Sequence, residues 1–254
     1  SSGNVYVLEY YNNRIKVFDS SGAYLRSFGG YGSGCNTWRY ARQFDIKDGY
    51  IYLADTYGYK IKKMTLTGQC VWQANSYQGT ALRNAPHAIA VGGGYVWVGD
   101  TDGKIGSYSK SNGVQTRNVY NNGASYIWGM SWNRAGTKLV FSDYNKNRVQ
   151  VATRSGHQLI GDNNPNSANY VTRCSASRTT DAAFDSSGNY YHTELYSHRF
   201  VKVQGGTSCT TLLTKGSYSN SAGFRYPYGM EIDSSDNIYV TDFYNYAVRK
   251  YDTS

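Results

Sequence analysis

One phrase recurs six times along this 254-residue chain, and few folds can hold it. A turn residue opens an alternating apolar run that ends on an acid; a polar loop and a second alternating run follow. It reads GNVYVLEYYNNRIKVFD from Gly3, GYIYLADTYGYKIKKM from Gly49 and DNIYVTDFYNYAVRKY from Asp236. The acids in register are Glu9, Asp55, Asp100, Asp143, Glu194 and Asp242, spaced 46, 45, 43, 51 and 48 residues apart. A fixed period of this size signals repeated supersecondary units. Period-two alternation and enrichment in Val, Ile and Tyr make the runs strands. Flanking stretches such as Ala88-Ile89-Ala90-Val91 and Tyr24-Leu25-Arg26-Ser27-Phe28 bring each repeat to four strands. The expectation is all-β: a six-bladed β-propeller of four-stranded antiparallel blades, one domain over 1–254. Ser1-Ser2-Gly3-Asn4 matches Ser186-Ser187-Gly188-Asn189, a turn between first and second strands. The first and last repeats are therefore expected to be incomplete here, as in a fragment of a longer chain.

The four cysteines follow the same register. Cys70 and Cys209 each lie 15 positions beyond the acid of repeats two and five, and Cys35 and Cys174 fall in the connections entering those repeats. The two repeats face one another across a six-membered ring, too far for the 4.4–6.8 Å Cα separation of a disulfide. Pairing within each repeat, Cys35–Cys70 and Cys174–Cys209, remains, and it requires the connection to dip toward the start of the outer strand. The alternatives are four buried thiols or a zinc site. The latter is disfavoured by the lack of any Cys-x-x-Cys and by only four His. Disulfides place the chain outside the reducing cytosol. Asn, Ser and Thr are abundant yet no Asn-x-Ser/Thr sequon occurs, which leans toward a bacterial cell surface.

The stretches Asn12-Asn13-Arg14-Ile15-Lys16-Val17-Phe18-Asp19, Ser27-Phe28-Gly29-Gly30-Tyr31-Gly32-Ser33-Gly34 and Phe224-Arg225-Tyr226-Pro227-Tyr228-Gly229-Met230 resemble NHL-repeat propellers. The resemblance spans essentially the whole chain. It departs at Asp102-Gly103, where a loop is shortened, and at Thr179-Thr180-Asp181, which replaces Pro-x-Gly. It implies one of three activities: RNA binding, metal-dependent lysis of peptidyl-hydroxyglycine, or extracellular sensing and scaffolding. Fold alone does not select among them.

In such a fold, loops entering the innermost strands crowd one mouth of the central channel. The residues at the middle of Pro-Tyr-Gly or its equivalents are Arg42, His87, Trp128, Thr180 and Tyr228, the candidate ligand-binding set. Neighbouring loops add Tyr10, Tyr11, Tyr57, Tyr59, Tyr144, Tyr196, His198, Tyr244 and Tyr246. Tyrosine offers large, rigid, amphipathic contact area at low entropic cost. With 27 Tyr in the chain, part of this set is expected to be scaffold.

The register acids recur in all six repeats and read as loop caps accepting backbone N–H groups. Bases at Arg14, Lys60, Lys104, Arg148 and Arg199 are their expected partners. No His-Glu-x-x-His, Gly-x-Ser-x-Gly or Walker loop occurs. The histidines, His87, His157, His192 and His198, do not assemble a three-His lyase centre. Catalytic residues, metal and cofactor are therefore expected to be none. The net charge of +9 suits an anionic partner. RNA is the weaker candidate, because the bases are dispersed and Lys60-Ile61-Lys62-Lys63 is the one tight cluster. No apolar stretch is long enough for a membrane span. The reading is a non-enzymatic extracellular recognition or scaffold domain for a glycan, an anionic envelope polymer or a protein.

Overall fold

The computed structural model describes residues 3–76, 84–120, 123–156, 158–160, 172–205, 209–219 and 221–252. Its strands form six antiparallel sheets of three to five strands, and the fold is a six-bladed β-propeller. The chain divides into two compact units, 1–100 with 106–117, and 101–105 with 118–254.

The first unit holds β1 (Val5–Glu9), β2 (Arg14–Phe18) and β3 (Tyr24–Gly29) in a three-stranded sheet. Beside them are β4 (Gln43–Lys47), β5 (Tyr50–Asp55), β6 (Lys60–Thr65) and β7 (Cys70–Asn75) in a second sheet. A third contains β8 (Pro86–Gly92), β9 (Tyr95–Asp100), β10 (Ile105–Ser109) and β11 (Gln115–Tyr120), the last two crossing the division between units. The second unit holds β12 (Ile127–Trp132), β13 (Lys138–Asp143), β14 (Arg148–Ser155), β15 (Gln158–Ile160) and β16 (Thr172–Ser175). It continues with β17 (Thr179–Phe184), β18 (Tyr190–Glu194), β19 (Arg199–Val203) and β20 (Thr211–Lys215), then β21 (Pro227–Ile232), β22 (Ile238–Asp242) and β23 (Ala247–Tyr251). Among the described residues, the first sheet has no counterpart of the innermost strand and the sixth none of the outermost, as expected.

Within each unit, neighbouring sheets pack through the apolar halves of their alternating strands. Ile15, Val17, Trp38, Ile51 and Leu53 form one such layer, and Tyr191, Phe200, Phe224, Ile238 and Val240 another. Each fully buried aliphatic or aromatic side chain contributes about 1.5–3 kcal/mol. Exposed ion pairs contribute less than about 1 kcal/mol, so sheet packing, not surface charge, holds the blades together.

The loop between each blade's second and third strands makes the same turn. A residue at or next to its end lies in the left-handed region in all six: Asn13, Tyr59, Gly103, Asn147, His198 and Tyr246, with φ between 51° and 81°. Asn and Gly suit this conformation; Tyr and His tolerate it at a cost.

Both expected disulfides are present, Cys35–Cys70 and Cys174–Cys209, with Cα separations of 5.5 and 5.4 Å. The connection before Cys70 does dip. Lys60 Nζ donates to the Ser33 carbonyl at 3.2 Å, and Lys62 Nζ to those of Gly34, at 2.8 Å, and Thr37. The second bridge differs from expectation. Cys174 lies in β16, which pairs with β14 as part of the fourth sheet's outer edge, so this disulfide links sheets four and five.

Candidate functional site

The register acids create the platform on which the site stands. Asp55, Asp143, Glu194 and Asp242 accept the backbone N–H of Arg39, Ser125, Ser177 and Arg225 at 2.7–3.0 Å, each fixing the connection that enters its own blade. A base on the third strand then joins acid to connection. Arg148 spans Asp143 and the Gly123 carbonyl; Arg249 spans Asp242 and the Ser221 carbonyl. In the second repeat Lys62, not the expected Lys60, meets Asp55, at 2.8 Å with both side chains fully buried. Burial pulls the Lys62 ammonium below the usual lysine range while Asp55 opposes that shift. Burial pushes the Glu194 carboxyl up, but the neighbouring His192 and the hydrogen bonds from Arg199 and the Ser177 N–H outweigh it and bring it down to about 2. The acids are thus consumed as internal anions.

The innermost strands β12, β17 and β21 each carry a bulge where the candidate residues lie. The bulged N–H groups of Gly129, Asp181 and Gly229 donate to the hydroxyls of Ser142, Thr193 and Thr241, the residues preceding the register acids. Bulges re-aim side chains, and here they sort the predicted set. Trp128 and Tyr228 are partly exposed, with ring centroids 5.8 Å apart, and Trp128 lies 4.4 Å from Tyr144. Thr180 is instead 1% exposed, its hydroxyl donating to the Tyr228 carbonyl at 2.7 Å. In the first unit Arg42 stacks on Tyr10, its guanidinium 4.0 Å from the ring centroid, and donates to the Tyr10 hydroxyl at 3.0 Å. His87, in β8, is 1% exposed. The five predicted residues are therefore not one surface: Thr180 and His87 serve the interior, because the bulge and the inward strand face bury them. His192 is likewise buried in β18, 3.6 Å from Glu194, and His157 lies outside the described residues.

What the second unit does offer is an open cleft of about 330 Å³, lined by Leu195, Tyr196, Arg225, Tyr226, Tyr228 and Tyr244. Tyr226, in its lining, has the left-handed conformation, φ 58°. Its N–H donates to His198 Nδ1 at 3.1 Å, so that imidazole is held as an acceptor. Burial and the Arg225 charge keep His198 below the ordinary histidine range. The Tyr226 ring meets those of Tyr196 and Tyr244 edge to face, at 5.9 and 5.1 Å. The Arg225 guanidinium lies 5.8 Å from both the Tyr218 and Tyr244 centroids, and its Nε makes no hydrogen bond among the described residues. Sequence reasoning named Tyr196, Tyr228 and Tyr244 but passed over Arg225 and Tyr226, which it read only as an approach to the strand.

Comparison with known proteins gives the fold and little more. A family model described as 6-bladed beta-propeller matches residues 1–76. No curated protein matches. Among solved structures, a streptogramin B lyase is 15% identical, with a TM-score of 0.65 over 99% of this chain and 80% of that one. A protein of unknown function from Bacteroides caccae is 13% identical, with a TM-score of 0.67 over 96% of this chain and 84% of that one. Virginiamycin B lyase from Staphylococcus aureus is 15% identical, with a TM-score of 0.65 over 100% of this chain and 82% of that one. At these identities the likeness is one of fold.

Proposed function

We propose that this chain is a non-enzymatic recognition domain of the cell exterior that binds acidic glycans in the tyrosine cleft. The observation that carries the reading is Arg225: a guanidinium laid beside two tyrosine rings and lining an open cleft. A sugar ring has an apolar C–H face and a hydroxyl rim, which the face and hydroxyl of tyrosine complement. Arginine matches a carboxylate in a bidentate fork. The nearby carboxylates of Glu194 and Asp242 are already bound to Arg199 and Arg249, so they neither repel an anion nor stand free for acid–base chemistry. A net charge of +9 attracts polyanions at long range, and two disulfides suit an oxidising compartment.

The test is binding of the intact chain to oligogalacturonate and to neutral cello-oligosaccharide. The acidic probe is expected to bind and the neutral one not. Arg225→Ala should weaken binding by the roughly 1.5–3 kcal/mol of a charge-assisted hydrogen bond, and Trp128→Ala less. Equal affinity for both probes, or preference for single-stranded RNA, would overturn the reading.

A further inference from the structure

The loops and the connection within residues 9–59 carry matching residues to those within 194–246, a stretch two residues longer, and from this we infer a second acidic-glycan site in the first unit. The inference rests on the reading of the cleft given above. Tyr40 stands for Tyr226: its φ is 50°, and its N–H donates to Asn13 Oδ1 at 2.6 Å, where Tyr226 uses His198. Arg39 stands for Arg225, each donating its N–H to the register acid at 2.7 Å. Tyr57 stands for Tyr244: their N–H groups donate to the Arg39 and Arg225 carbonyls at 3.1 Å, and the Tyr40 and Tyr57 centroids are 5.7 Å apart. Behind each site an aromatic plug fills the space a side chain would take. A Cβ at Gly29 (φ 112°) would come within 2.4 Å of Trp38, and one at Gly216 (φ 108°) within 2.5 Å of Phe224.

The scaffold does not require these tyrosines. The connection entering the fifth sheet makes the same bond, from the Arg178 N–H to Asn147 Oδ1 at 3.2 Å, with no aromatic at that position. Nor does the left-handed turn, which Asn147 and Gly103 make elsewhere. Yet Tyr31 and Tyr218, and Tyr59 and Tyr246, recur as exposed pairs in the two stretches. An exposed ring held in an unfavourable conformation where Asn or Gly would serve points to a use outside the fold. Among the differences between the sites, Tyr10 replaces Leu195 and Arg42 replaces Tyr228; the latter adds a second cation, so the first-unit site should bind the acidic probe more tightly and with steeper salt dependence.

Calorimetric titration of the intact chain with tetragalacturonate tests this. Two molecules per chain are expected, falling to one in Arg39→Ala and in Arg225→Ala, and to none in the double variant. Tyr59→Asn, which places a residue suited to the turn, should weaken the first-unit site several-fold while the melting temperature does not fall. A stoichiometry of one, untouched by Arg39→Ala and lost in Arg225→Ala, would overturn the second site and leave the cleft standing. No binding by the unaltered chain would overturn both.

Discussion

Tyr246 is 92% exposed and lies at φ 53°, so it touches little while bearing the strain of the left-handed turn. Strain of this kind costs on the order of 1 kcal/mol. Tyr246→Asn should therefore raise stability by about 0.5–1 kcal/mol in chemical denaturation and lower affinity for the acidic probe. A variant both less stable and equally avid would show the ring to be scaffold. Asp181 tells a different residue-scale story. Burial raises its carboxyl to about 7, opposed by hydrogen bonds from the Met230 and Ala182 N–H groups. Gln43, its equivalent in the second blade, accepts the Ile89 N–H with a neutral amide. A folded pKa above the unfolded 3.8 means that the native state binds the extra proton. The stability this adds is complete below about pH 4 and is lost as pH rises toward 7. Asp181→Asn should flatten that slope, so its melting temperature gains on the unaltered chain between pH 5 and 8. A constant difference across that range would refute the assignment.

At the scale of the element, the second, fourth and sixth blades are each locked by one acid and one base acting on the connection's N–H and C=O groups. The cost of breaking the lock should follow burial. Lys62 is fully buried and donates to Asp55, Gly34 and Thr37, whereas Arg249 is 23% exposed. Lys62→Met leaves a buried carboxylate unpaired and should cost about 3–5 kcal/mol; Arg249→Met should cost clearly less. Urea unfolding of the two variants gives the order, and the reverse order would contradict it. These locks also mark how far sequence could be read. The acids, the four strands and the disulfide pairs were legible because each recurs at a fixed offset. The choice of Lys62 over Lys60 was not, because both flank the same strand and only the dip of the loop decides which is buried. Nor was the burial of Thr180 and His87, since a bulge does not change the residue alphabet of a strand. Arg225 and Tyr226 could have been found by aligning Trp38-Arg39-Tyr40 with Phe224-Arg225-Tyr226.

At the scale of the whole molecule, two covalent ties and a net charge of +9 are the features that bear on stability and on long-range attraction of anions. Each disulfide joins residues 35 apart, for which loop closure in the unfolded chain corresponds to about 2–4 kcal/mol. Cys35→Ala with Cys70→Ala should lose that much, and a thiol titration of the unaltered chain in denaturant without reductant should find no free thiol. The Cys35–Cys70 bridge ties the connection that carries Arg39 and Tyr40, so reducing it should also weaken binding at the first-unit site. The cleft as a glycan site is tested most directly by a crystal structure of the chain grown with saturating tetragalacturonate. A uronate carboxylate on the Arg225 guanidinium and a sugar face against Tyr226 or Tyr244 are the expected result. Oligosaccharide bound elsewhere with the cleft empty would contradict it.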